Sequence, residues 1–339
     1  MLTAARPNLE ATNLGLRDFL LRRVINSIVL VFGAITFNFF VFRFMPGNPV
    51  GIVISGTIAA NQQQLANALM ALWGLDQPLP VQFVRYLGNM LTFQFGNSFS
   101  EGYRPVIEAI AARLPNTLLL MGTAAIMTIV LGLITGVSAA AKRGGKFDMG
   151  MVTAALTFYS VPTFWLGMML ILFFGYYIPI FPMHGTVSAP APEDPLAYAL
   201  NVGWHLVLPA TTLTLVDYGG YMLVMRNNLI DVLTEDYIVT ARAKGADERS
   251  VLYKHALRNA ILPLVTMIAL TFGFLLSGAT LTETVFNWYG LGRLIFESVL
   301  AKNYPVLQAI FYILALTVII ANFIADILYG FLDPRVRYD

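Results

Sequence analysis

Side chains able to do chemistry are few in this sequence, and their placement limits what they can do. The three histidines, His184, His205 and His255, lie in separate segments, and His184 and His255 fall on opposite sides of the membrane in the topology derived below. They cannot share a metal ion. Neither H-E-x-x-H nor G-x-S-x-G occurs, and there is no cysteine, which removes disulfides, Cys-ligated zinc and iron–sulfur sites. Gly145-Lys146 lacks both the upstream glycine and the hydroxyl residue after lysine that a phosphate-binding loop needs. No catalytic residue and no metal-ligand set emerges. What remains is a charged run, Arg226 to Arg258, reading RNNLIDVLTEDYIVTARAKGADERSVLYKHALR. Apolar residues recur at helical spacing before Gly245 (Leu229, Leu233, Tyr237, Ile238, Ala241) and again after it (Val251, Leu252, Ala256, Leu257). The pattern predicts two short amphipathic helices with a glycine break, a surface suited to docking a soluble partner.

The elements around this run are membrane spans. Apolar residues make up 57% of the chain and charged residues 12%, with a mean hydropathy of +0.69. The formal charge of +2 gives no argument for nucleic acid. About 20 apolar residues cross a bilayer, and six stretches qualify: roughly 23–44, 117–141, 149–177, 206–224, 261–281 and 306–331. The fourth is the weakest, because it holds Pro209, Asp217, Gly219 and Gly220. With six spans, 15 of the 21 Lys and Arg residues share the side of the termini and the charged run. The positive-inside rule makes that side cytoplasmic. The expected fold is an all-α integral membrane protein with a cytoplasmic tail over residues 1–20 and a transmembrane domain over 21–339. Residues 46–115 form a small, mostly helical extracytoplasmic segment, and residues 226–260 form a cytoplasmic loop between the fourth and fifth spans. The first twenty residues lack the pattern of a signal peptide.

Polar groups inside spans mark candidate transport paths. Asp217 is the foremost, flanked by Thr212, Thr214 and Tyr218. Tyr159, Ser160, Pro162 and Trp165 interrupt the third span, where Pro162 can kink the helix and free carbonyls toward a cavity. A packing kink accounts for the same residues. Ser277 and Gly278 permit close helix contact, and Asp326 lies near the cytoplasmic end of the sixth span.

The stretch TARAKGADERSVLYKHALRNAILP resembles the cytoplasmic signature loop of binding-protein-dependent ABC importer permeases, in the variant of the oligopeptide, dipeptide and nickel branch. Gly245 fits the signature glycine, while Val239, Thr240 and Ala241 stand at its E-A-A positions, so only the second alanine is kept. LRRVINSIVLVFGAITFNFFVFRFMPGNP, GLDQPLPVQFVRYLGNM, ARLPNT, SVPTFWLG, LVLPATTLTL, ETVFNWYGLGRL and KNYPVLQAI resemble further blocks of that branch, in order. Tyr289 stands where proline is common. The resemblance implies a first permease subunit in a prokaryotic cytoplasmic membrane. It implies a second homologous permease, two ATPases that carry ATP and Mg, and an extracytoplasmic binding protein that docks on 46–115 and on Glu283–Tyr304. It also implies a coupling surface at Ala241, Arg242, Lys244, Gly245, Ala246, Asp247, Glu248, Arg249 and Leu257, and a path near Asp217, Tyr159, Ser160 and Trp165. Peptides are the expected substrate. Oligosaccharides or nickel chelates are alternatives within the class, and an ion-coupled secondary transporter with Asp217 as its ion site is the alternative outside it.

Overall fold

Long apolar stretches without water must satisfy their backbone internally, and helices do so. A computed structural model describes residues 16–44, 76–100, 104–273 and 278–332, with residues 64, 67, 70, 71 and 275. Among these the chain is almost entirely helical, with one isolated β-bridge between Asn97 and Pro105. The tail up to residue 15, most of 45–75, Ser277 and the side chain of Asp326 lie outside the described residues. In chain order the principal helices are α1 (Leu16–Phe44), α2 (Leu79–Leu91), α3 (Val106–Ala141), α4 (Lys146–Ser160) and α5 (Thr163–Ile171). They continue with α6 (Pro195–Val232), α7 (Asp236–Ala243), α8 (Glu248–Ala260), α9 (Leu262–Gly273), α10 (Thr280–Val285), α11 (Leu291–Leu300) and α12 (Tyr304–Leu332).

Among the described residues, four helices, α1, α3, α6 and α12, are each long and apolar enough to cross a membrane, and two bent pairs, counted as one span each, raise the number to six. The pair α4 and α5, the latter prolonged by a π-helical turn over Leu172–Tyr177, is bent by 99°. The pair α8 and α9 is bent by 46°. Three sequence expectations change in detail. The second span starts at Val106 instead of near Thr117, running through Pro115. The third is two half-spans, because Pro162 brings no N–H to continue the helix and Val161 is extended. The fourth, weakest by hydropathy, is the longest helix described, at 38 residues. It tolerates Pro209 and its polar residues because protein, more than lipid, surrounds it.

The packing shows why. Helix α6 runs along α3, and the approach depends on two glycines one helical turn apart, Gly132 and Gly136. A Cβ on Gly136 would stand 2.7 Å from the carbonyl oxygen of Met222, and one on Gly132 would overlap Tyr221. Small residues at this spacing let helix backbones close in a membrane where the hydrophobic effect gives no help. A second cluster joins α1 and α12 through Ile35, Val306, Ala309 and Ile310, capped by Met90 of α2 and Leu291 and Leu294 of α11. Asn38 in α1 donates to the backbone oxygen of Gln308 and to the Tyr86 hydroxyl, each at 2.9 Å.

Candidate functional site

The charged run becomes an elbow. Its first residues, through Val232, complete α6, so Leu229 belongs to that helix and is buried there. After a turn closed by Thr234, α7 carries Val239, Thr240, Ala241 and Arg242. Gly245 ends it with φ +82°, a left-handed conformation that glycine adopts without penalty. The Gly245 N–H donates to the Arg242 carbonyl at 2.9 Å and the Ala246 N–H to that of Ala241 at 3.2 Å, satisfying carbonyls that the helix end would orphan. Asp247 then caps α8, its carboxylate accepting from the Ser250 N–H at 3.2 Å. Asp247 thus precedes the first turn, which begins with Glu248.

One apolar side holds the elbow to the membrane domain. Ile238 and Val251 are fully buried with Ala256, Leu229, Ala260 and Leu264, against Val137 and Met225. Leu257 and Ala246 pack at the edge of this cluster. The Asn259 amide donates to the Tyr237 hydroxyl at 2.7 Å. The other side is open: Val239 is 57% exposed, and Thr240, Arg242, Lys244, Asp247, Glu248 and Arg249 are exposed with it. Arg242 grips Glu248 with two hydrogen bonds, at 2.9 and 3.2 Å, across the Gly245 turn. The pair bridges the two helices of the elbow while their outer face stays open. Behind it, Arg226 at the end of α6 clasps Asp148 at the start of α4 (2.5 and 2.7 Å), and Asp148 also accepts from the Gly144 N–H at 2.9 Å. Asp148 is buried and Arg226 partly so, and the pair ties the end of α6 to the start of α4.

The path candidates lie apart from the elbow. Asp217 is exposed on α6, and Tyr159, Ser160 and Trp165 are exposed on either side of the break between α4 and α5. The Ser160 hydroxyl turns back on the Leu156 carbonyl at 2.8 Å.

One residue was missed in the sequence as anything beyond the edge of a docking segment. Glu283 in α10 is 0% exposed. Its carboxylate accepts from the Thr117 hydroxyl of α3 at 3.0 Å and from the Arg293 N–H at 2.9 Å, while Thr117 Oγ1 accepts from the Leu291 N–H at 2.7 Å. Burial pushes its carboxyl above the usual glutamate range, and these donors pull it partly back. Trp288 donates its ring N–H to the Asn116 carbonyl at 2.9 Å, and the Asn116 amide answers to the Tyr289 carbonyl at 2.7 Å. Arg113, lying 3.5 Å over the Tyr289 ring, shares Glu297 with Arg293. The signal available in sequence was the pair Gly290 and Gly292, which leave room for this carboxylate. The expected docking stretch therefore turns both of its ends, Glu283 and Tyr304, inward, and exposes Tyr289, Phe296, Val299, Leu300 and Lys302.

Comparison with known proteins places these features. Residues 128–338 match the family described as the binding-protein-dependent transport system inner membrane component, and residues 16–121 match the N-terminal region of such components. An oligopeptide transport system permease protein of Bacillus subtilis is 37% identical over 94% of this chain and 99% of its own length. A di/tripeptide transport system permease of Pseudomonas aeruginosa is 36% identical over 95% of this chain and 99% of its own. A dipeptide transport system permease of Escherichia coli is 37% identical over the same shares, 95% and 99%. The fold resembles a chain of the MetNI methionine ABC transporter in an inward-facing conformation, with a TM-score of 0.54 and 19% identity, covering 68% of this chain and 99% of that one. The chain belongs to the family of inner membrane permease components of binding-protein-dependent ABC importers.

Proposed function

We propose that this chain forms, with a second homologous permease, the path by which an importer moves peptides into the cytoplasm. The observation that carries the reading is the elbow of α7 and α8. A buried apolar side anchors it, a cross-turn Arg242–Glu248 grip stiffens it, and a charged outer face is left for a partner. Separate ATPase subunits, which hold ATP and Mg, seat on that face. Closure of the ATPases pushes the elbow as a rigid body, and the Arg226–Asp148 pair passes the displacement from α6 to α4. The chain does no chemistry on its cargo. Peptides are chosen because the similar permeases above are named for oligopeptides, di/tripeptides and dipeptides. An extracytoplasmic binding protein delivers them to the outer segment and to the exposed face of α11. The Lys and Arg distribution supports cytoplasmic termini.

The test is ATP-driven uptake of a labelled peptide by the complete complex in liposomes, with Gly245→Val beside the natural chain. A Cβ at Gly245 meets open space, so the substitution acts through its φ alone, at a cost of about 1–2 kcal/mol. Assembly should survive while uptake falls to background. Full uptake by the variant would remove the coupling role.

A further inference from the structure

The middle of α6 is packed on nearly every side. From His205 to Arg226, Asp217 is the one exposed position. It makes no hydrogen bond or ion pair among the described residues. The nearest basic side chain on its own helix toward the cytoplasm, Arg226, lies roughly 14 Å along the axis and is already engaged by Asp148. In the other direction His205 is buried, with Nδ1 beside the Asn201 carbonyl at 2.8 Å. An acid at mid-span is costly against lipid and is retained where it faces water or a cation.

A second observation concerns the neighbouring break between α4 and α5. A Cβ on Gly219 would meet Ala155 O at 3.0 Å, and the Tyr218 and Phe158 rings touch with centroids 6.5 Å apart. Helices α4 and α6 run in opposite directions, since Ala155 meets Gly219 and Asp148 meets Arg226, so the break at Val161 and Pro162 falls about one helical turn from the depth of Asp217. There α4 ends with unclosed carbonyls, and α5 begins at Thr163 with unclosed N–H groups, so the break offers acceptors beside donors. Tyr159, 67% exposed, and Trp165, 47% exposed, add aromatic faces, which attract cations. Carboxylate, carbonyls and aromatic rings thus lie within about one helical turn in depth, on surfaces that this chain alone leaves open.

We infer that Asp217 forms a recognition point for the α-ammonium group of a peptide in transit, with the carbonyls at the end of α4 about one helical turn away. The inference rests on the peptide reading above and adds to it the group that is read. Every peptide with a free amino terminus carries this cation near neutral pH, since the α-amino pKa is about 8. Recognition there tolerates any side-chain sequence.

The test uses the assembled complex of permeases and ATPases. Without the binding protein, contact of a tripeptide and of its N-acetyl form is followed by saturation-transfer NMR. With the binding protein, uptake of the free tripeptide is measured in liposomes. The natural complex should prefer the free amine at least about tenfold, as expected for a charge-assisted hydrogen bond. Asp217→Asn should erase that preference and slow uptake at least about tenfold, and Asp217→Glu should keep both within about threefold. Equal contact of both peptides with the natural complex, or unchanged uptake by Asp217→Asn, would overturn the inference. Loss of the second permease from the Asp217→Asn complex would also overturn it, assigning the carboxylate to a cation of that subunit. A natural complex that imports no peptide at all would instead refute the peptide reading, and the inference with it.

Discussion

The molecule has two charged elbows, and they are built in opposite ways. The outer one, α10 and α11, closes on itself. Glu283 is fully buried among donors from α3 and α11, Trp288 is sealed beneath the Tyr289 turn, and Glu297 is shared by Arg113 and Arg293. The inner one, α7 and α8, spends its apolar residues on the membrane domain and leaves its charges outside. Its Arg242–Glu248 pair is 41% and 75% exposed. A buried polar network that finds its partners within the chain sets the shape of that chain. Charges held rigid yet exposed are placed for something that is not part of it. The outer elbow is a structural keystone, and the inner one leaves an open charged face.

The difference can be broken most severely at Glu283. Replacing it with alanine leaves the Thr117 hydroxyl and the Arg293 N–H buried without their acceptor, at about 1–3 kcal/mol for each. The thermal midpoint of the purified complex should fall steeply, with uptake lost because the protein is lost. Gly245→Val belongs between the extremes: a cost of about 1–2 kcal/mol, but uptake gone. The mildest case is Arg242→Ala. An exposed ion pair contributes about 0–1 kcal/mol, so the midpoint should hardly move, while the ATPases should dissociate at lower salt because rim charges steer docking. A stability loss for Arg242→Ala as large as that for Glu283→Ala would erase the contrast between the elbows.

The sequence made the inner elbow readable because its signals are local. A glycine between two apolar periodicities and a cluster of charges mark a turn, two helices and a face. The spans were readable where lipid surrounds them, as in α1 and α12. Hydropathy ranked α6 lowest because it measures suitability for lipid, whereas α6 is wrapped by α3, α4 and α5, with Gly132, Gly136 and Gly219 bringing backbones together. The third span was read as kinked at Pro162, but its 99° break depends on how both halves pack on α6. Glu283 and the Arg226–Asp148 pair stayed hidden because their partners are far along the chain, 166 and 78 residues away.

The contrast is tested most directly by cross-linking from single cysteines, which the cysteine-free chain makes unambiguous. Val239→Cys places a thiol on the open face of the inner elbow, and Leu300→Cys places one on the outer elbow. In native membranes a short reagent with one thiol-reactive and one photoreactive end should join Val239→Cys to an ATP-binding subunit and should join Leu300→Cys to none. Capture of the ATPase from Leu300→Cys, with Val239→Cys reacting only with impermeant reagents added outside, would invert the assignment of the two elbows and contradict the account.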